Sequence, residues 1–320
     1  MEEFKDRRVC VVGGAGMIGS RLVEFLLQAG SSVTVLDDFS RGHTEISGAK
    51  YIRGDATNLN TCRYAFRGAS TSSPPVDMVF NLAAKVAGVM YNMNHHLDMF
   101  HNNINVLTIP VMAAEELGVE HYLQTSSVCV FDPDHNHPCL EEEGLLGEPH
   151  KSNFGYSWAK RMGEYAVIMS DIPHAVIVRP SNVYGIRDYF DERAHVIPAL
   201  MKKVHNDGTI RVNGTPDTVR EFIYADDVAK GMMAAIVNGQ DKGQYILGVN
   251  GEAVSIEQLL HLLQMIAGAD KEVVFSEQRG ENKRWSNCSL TYDELNWRPS
   301  MGLREGLTQV YEWALERRVF

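Results

Sequence analysis

Residues 9–19 read VCVVGGAGMIG, a β-branched run that ends in glycines and passes straight into the amphipathic stretch Gly19–Ala29. Glycine is needed where a turn is tight, where backbone must approach a ligand closely, and where a helix packs hard on a strand. The glycines fit two spacings, GxGxxG from Gly14 and GxxGxxG from Gly13. A helix starting here turns unpaired N–H groups and the positive end of its dipole toward the loop, a ready site for phosphate. A glycine-rich turn alone would be weak evidence; strand, turn and helix in immediate succession make it a dinucleotide site.

Outward from this loop, short β-branched runs alternate with helical periodicity. Strands are expected at Arg8–Val12, Ser32–Leu36, Lys50–Arg53, Met78–Leu82, His121–Thr125 and Ala175–Arg179. Helices are expected near Gly19–Ala29, Asn58–Phe66, Asn102–Leu117 and Ser157–Met169. Such alternation predicts an α/β fold, a doubly wound parallel sheet of the Rossmann type. Past Pro180 the rhythm changes to a mixture rich in Gly, Pro and charge, with short strands at Ile210–Asn213 and Gln244–Leu247. The predicted division is a nucleotide domain over residues 1–180, rejoined by 222–248, and a smaller discontinuous substrate lobe over 181–221 and 249–320. Phe222–Val237 reads as a turn followed by a helix.

Bulk properties exclude several classes. The 320 residues are 44% hydrophobic and 22% charged, which supports a sizeable core and argues against disorder. A net charge of −11 disfavours nucleic acid or an anionic membrane as partner, since both demand a basic field. The charged start MEEFKDRR lacks the shape of a signal peptide, and no stretch nears the ~20 apolar residues of a membrane span. Five cysteines without a CxxC pair fit a reducing compartment, so the expected location is cytoplasmic.

The cofactor follows from residues beyond the loop. The second strand ends SVTVLDD, which places Asp37 to bind both adenosine ribose hydroxyls and to repel a 2′-phosphate. NAD is therefore expected over NADP, although Arg41 lies close by. Asp38 reads more as a turn residue, and Asp55 in GDAT, followed by Ala56, either caps the next helix or meets the adenine amine. The contacts expected for the cofactor are Gly13, Gly16, Met17, Ile18 and Gly19 from the loop, and Leu82, Ala83 and Ala84 from NLAAKVAG, where small side chains let a ligand lie on backbone.

Tyr156 and Lys160 stand in GYSWAK, four residues apart and so on one helical face. A nearby ammonium is expected to lower the phenol's pKa and make it a usable acid/base. Ser127, closing the TSS that follows the fifth strand, can polarise the same substrate oxygen. Each signal alone is common; behind a glycine loop they reinforce one another.

Together these motifs resemble the extended short-chain dehydrogenase/reductase family, in its epimerase/dehydratase branch, over at least residues 9–230. The resemblance implies that Tyr156 removes a hydroxyl proton while NAD takes hydride from the same carbon, and that Lys160 also holds the nicotinamide ribose. It implies a nucleotide-diphosphate sugar as substrate, with Asn182 in RPSNVYG, Arg220 in VREFIYADD and Arg279 as contacts. It also implies a homodimer through a four-helix bundle. Cys129 in SSVCVF and His195 in HVIPAL match the 3,5-epimerising acid/base pair of GDP-L-fucose synthases; GDP-mannose 3,5-epimerases share the cysteine. Thiol and imidazole pKa values bracket neutrality, as deprotonation beside a carbonyl needs. The alternatives are a buried apolar thiol and a helix-capping histidine.

The expected function is thus NAD-dependent epimerisation of a GDP-sugar at C3/C5 through a 4-keto intermediate. A fucose-synthase-like epimerase/reductase, a simple 4-epimerase and a non-catalytic nucleotide sensor are the alternatives. His95, His96 and His101, like His135, His137 and Cys139, lack metal-ligand spacing and read as polar surface, so no metal is expected. Met90–Met99 reads as core or lid packing, and Glu141–Glu143 as a solvent-facing loop.

Overall fold

The computed structural model describes residues 2–134, 138–276 and 283–320; Arg279, His135 and His137 lie outside them. The chain runs β1 (Arg8–Val12), α1 (Met17–Gln28), β2 (Ser32–Asp37), β3 (Lys50–Arg53), α2 (Leu59–Ala65), β4 (Met78–Asn81), α3 (Val89–Asn94), α4 (His96–Leu117), β5 (His121–Thr125), α5 (Phe154–Met169) and β6 (His174–Pro180). It continues through β7 (Asn182–Tyr184), α6 (Val196–Asn206), β8 (Ile210–Val212), β9 (Val219–Tyr224), α7 (Ala225–Asn238) and β10 (Gln244–Leu247). The last elements are β11 (Ala253–Ser255), α8 (Ile256–Ala267), β12 (Val273–Phe275), β13 (Lys283–Arg284), α9 (Ser289–Leu295) and α10 (Leu303–Glu316).

The main sheet is parallel, in the order β3-β2-β1-β4-β5-β6-β10. This is the doubly wound order expected from the alternating pattern, with β10 added beside β6. Val9 to Val12 are all fully buried because helices cover both faces, which is why β1 is a continuous apolar run and not an alternating one. Leu22, Leu26, Val228 and Met232 of α1 and α7 pack on one face. Cys62, Val111, Ala114 and Val167 of α2, α4 and α5 pack on the other. A separate cluster joins Leu200 of α6, Leu259 and Leu260 of α8, and Leu307 and Val310 of α10.

Two expectations fail locally. The turn read at the start of Phe222–Val237 is strand: β9 pairs with β7, β11 and β13, then enters α7 directly through an extended Tyr224. The run Val219–Tyr224 is rich in β-branched and aromatic residues, but the acidic pair Asp226 and Asp227 that follows makes it read as a turn before the helix. Cys139 and Glu141, read as surface, are buried. Glu141 accepts a 2.8 Å bond from the Thr291 hydroxyl, and its carbonyl accepts one of 2.5 Å from Arg179. Polar composition concealed a segment that packs beneath α9. Among the described residues, no helix is long and apolar enough to cross a membrane, and no His/Cys/Asp/Glu group could hold a metal ion.

Candidate active site

Every candidate site residue that the structure describes lines one cleft of ≈ 1420 Å³ at the C-terminal edge of the main sheet. The glycine loop forms its floor. Gly13 has φ +81°, and a Cβ there would sit 2.9 Å from the Ala83 nitrogen. At Gly19 an added Cβ would meet the Gly13 carbonyl oxygen at 2.2 Å, so these glycines are required by backbone packing. Gly16 differs. Its Cβ would find no chain atom closer than 3.6 Å, and it stands at the N-cap of α1 with no side-chain cap. The open space and uncapped N–H groups beside it fit a dinucleotide's pyrophosphate.

Asp37 ends β2 and braces this loop. Its oxygens accept bonds from the backbone N–H groups of Ala15 at 2.9 Å and Phe39 at 2.8 Å. Burial raises its carboxyl pKa, with the two backbone donors opposing the shift. Asp38 makes the expected turn by accepting from the Ser40 amide at 2.8 Å. Asp55 does not cap α2; Asn58 does, while Asp55 accepts from the Thr57 amide at 2.8 Å. Buried Asn81 and Asn103, which sequence reading missed, hold the loop after β4. Asn81 accepts from the Ala83 amide at 3.2 Å, and Asn103 bonds both the N–H and the C=O of Lys85.

Helix α5 carries the acid/base pair. It begins at Phe154, earlier than expected, and Gly155 lets it approach the His96 carbonyl of α4. Buried Lys160 donates to the Thr125 carbonyl at 2.7 Å and lies 5.6 Å from the centre of the Tyr156 ring. Burial draws the lysine's pKa down to about 7, opposed by Cys129 and Glu164. Burial also raises the Tyr156 pKa, Cys129 adds to this, and a hydrogen bond with Ser127 opposes it. The expectation that the ammonium lowers the phenol's pKa is corrected: Lys160 is buried and Tyr156 partly so, and removal from water disfavours charge on either group. Glu164, one turn beyond Lys160, forms a fully buried ion pair with Arg179 at 2.6 Å and accepts from the Ser126 hydroxyl. Its i+4 spacing from Lys160 was the available signal; Arg179, on β6, gave none.

Cys129 lies in the short 3₁₀ turn Val128–Val130 after β5, its amide bonded to the Ser127 hydroxyl at 3.2 Å. The flanking carbonyls are held by Arg284, at 3.2 Å from Val128, and by Arg161, at 2.9 Å from Val130. Of the five cysteines, four are buried and Cys129 alone is partly exposed, which counts against the reading of it as a buried apolar thiol. His195 occupies the N-cap position of α6, but its side chain makes no capping bond. It lies 3.8 Å from the buried carboxylate of Asp188. On the substrate side, Asn182 donates to the Glu221 carbonyl at 2.8 Å, and Arg220 pairs in register with Arg284 across β9 and β13. Arg284 also lines the cleft and was missed by sequence reading.

A parallel sheet of this order, with a glycine cradle at one end of the cleft and a Ser/Tyr/Lys cluster along it, defines a dinucleotide-dependent enzyme fold. The chain belongs to the NAD dependent epimerase/dehydratase family, whose model matches residues 9–248. It is 27% identical to GDP-L-fucose synthase 1 of Arabidopsis thaliana, over 98% of this chain and 94% of that protein. It is 26% identical to GDP-L-fucose synthase of Escherichia coli strain K12, over 98% of both chains. Among solved structures, the UDP-glucose 4-epimerase of Thermus thermophilus in complex with NAD superposes with a TM-score of 0.83 at 25% identity, covering 96% of this chain and 98% of that one.

Proposed function

We propose that this protein is an NAD-dependent nucleotide-sugar epimerase that inverts C3 and/or C5 of a GDP-sugar through a 4-keto intermediate. NAD, when bound, supplies the oxidising and re-reducing chemistry at the sugar's C4. The residues expected to hold it are those of the glycine loop, Asp37 and Asp38 at the ribose, Asp55 and Ala56 near the adenine, and Leu82 to Ala84. Asp37 favours NAD over NADP.

Tyr156 takes the proton of the C4 hydroxyl and later returns it, with Ser127 donating a hydrogen bond to the same oxygen. Lys160 holds the nicotinamide ribose. The resulting ketone acidifies the neighbouring C–H bonds, and Cys129 and His195 exchange protons there from opposite faces. Asn182 and Arg220 bind the diphosphate, joined by Arg279. A cytoplasmic homodimer is expected, and the exposed Leu97, Met112 and Met169 of α4 and α5 offer apolar surface for the subunit contact.

The observation that carries the reading is the placement of Cys129, the one partly exposed thiol, in the same cleft as His195, Tyr156 and Lys160. Incubation with GDP- and UDP-sugars in D₂O, without added reductant, tests it. Deuterium at C3 or C5, read by NMR, supports the proposal; inversion at C4 without deuterium selects a 4-epimerase. A second reading, an epimerase/reductase, is favoured by the near full-length similarity to GDP-L-fucose synthases. Stoichiometric consumption of NAD(P)H with a 4-keto-6-deoxy sugar selects it.

A further inference from the structure

We propose that Asp188 is the positioning residue of His195: its carboxylate fixes the imidazole with Nδ1 protonated, so that Nε2 is the atom that exchanges protons with substrate. The inference rests on the acid/base reading of His195 given above.

The two side chains face each other with hydrogen-bonding capacity left over on both. Asp188 Oδ1 lies 3.8 Å from His195 Nδ1, with the aspartate side chain 2% exposed and the histidine 37%. Oδ1 also accepts from the Tyr189 amide at 2.8 Å. Asp188 Oδ2 and His195 Nδ1 are both buried with no hydrogen-bond partner. A buried carboxylate oxygen without a donor is costly, and so is a buried ring nitrogen without a mate. A shift of roughly 1 Å would bring Nδ1 from 3.8 Å into charge-assisted hydrogen-bond range of the carboxylate's Oδ1, and such bonds commonly tighten when substrate binds. Nδ1 is buried although the side chain is 37% exposed, so the ring's exposed part lies away from the Nδ1 atom that faces Asp188.

The carboxylate is fixed from both sides. Arg187 adopts φ 68° and anchors to α1, donating to the Ser20 hydroxyl at 3.1 Å and pairing with Glu24 at 2.7 Å. Tyr189 lies under the Arg41 guanidinium, 4.1 Å from its ring centre, and Arg41 reaches Asp191 at 3.4 Å. Asp188 is thus held between residues tied to the glycine-loop helix and to the end of β2.

The chemistry explains why a carboxylate belongs there. His195 stands at the N-terminus of α6, where it lines the cleft. As base, Nε2 takes the proton from the carbon beside the ketone; the C–H bond breaks, an N–H bond forms, and the electron pair enters the enolate. The ring then carries a positive charge, which Asp188 balances. Cys129 returns a proton to the same carbon from the other face, and both groups recover their starting states by exchange with water.

The test uses the full chain, with ¹⁵N–¹H correlation of the histidine rings and His195→Asn for assignment. With the ring titrated to its neutral form, the expected result is hydrogen on Nδ1 of His195 and none on Nε2. Asp188→Asn, whose amide can donate to Nδ1, should move that hydrogen to Nε2 and slow deuterium wash-in at least about a hundredfold, with KM and NAD affinity little changed. Asp188→Glu should keep the wild-type tautomer and recover part of the rate. Hydrogen on Nε2 in the wild type, or an unchanged tautomer and rate in Asp188→Asn, overturns the proposal. If Asp188→Asn fails to fold, the wild-type tautomer and the glutamate variant still decide. Absence of wash-in from the wild type on every sugar would reject the epimerase reading, whereas the tautomer measurement judges Asp188 independently.

Discussion

Alanine at Gly16 and alanine at Gly19 should separate cofactor binding from folding within one loop. At Gly16 the new methyl finds no chain atom within 3.6 Å, so the fold tolerates it apart from an N-cap cost below about 1 kcal/mol. It does enter the space where a pyrophosphate would approach the backbone. Losing roughly 1.5–3 kcal/mol of that contact weakens NAD binding about tenfold to hundredfold. At Gly19 the methyl lies 2.2 Å from the Gly13 oxygen, about 1.2 Å inside ordinary contact. Strain of about 1–3 kcal/mol is expected, enough in a 320-residue chain to lower Tm by roughly 1.5–4.5 °C as well as weakening NAD. Calorimetric titration with NAD and thermal melts of the NAD-free protein read the two quantities separately. Gly16→Ala with wild-type NAD affinity would refute the assignment of this loop to the pyrophosphate. Gly19→Ala with wild-type Tm would refute the packing argument.

Tyr156→Phe should cut turnover by about 10²–10⁴ while leaving NAD affinity within a few-fold; retained turnover would remove the phenol from the chemistry. Arg179→Met strands the buried Glu164 carboxylate and should cost about 3–5 kcal/mol in urea unfolding; a loss under about 1 kcal/mol would mean the pair is not buried as observed. Lys160 has a folded pKa near 7 against 10.5 when unfolded, so between those values the unfolded chain binds more protons and stability rises with pH. Lys160→Met removes that dependence. It should therefore be more stable than the wild type at pH 7, by a margin that shrinks toward pH 10. A gap independent of pH would contradict the burial of the amine.

Local sequence carried the parts of the site that are themselves local. The glycine loop, Asp37 and the Tyr156/Lys160 pair announce themselves because each depends on spacing within one strand–turn–helix or one helical turn. Six strands of the main sheet followed from alternation, since parallel strands buried on both faces must be continuous apolar runs; the seventh, β10, reads only as a short strand past Pro180. What was not legible depends on residues that meet from far apart. Glu221 bonds the Val249 and Ser286 amides, Arg284 reaches Val128, and Asp188 faces His195. The segment around Cys139 and Glu141 looked like surface because its polar groups find buried partners, such as Thr291, that no local pattern reveals.

The central claim is that Cys129 and His195 move protons at a carbon beside a sugar ketone. Deuterium wash-in at C3 and C5 of the productive GDP-sugar, followed by NMR for the wild type, Cys129→Ser and His195→Asn, tests it most directly. The expected result is incorporation by the wild type, reduced at least about a hundredfold in either variant while NAD binding persists. Inversion by the wild type without deuterium, or wash-in by both variants at the wild-type rate, would contradict it.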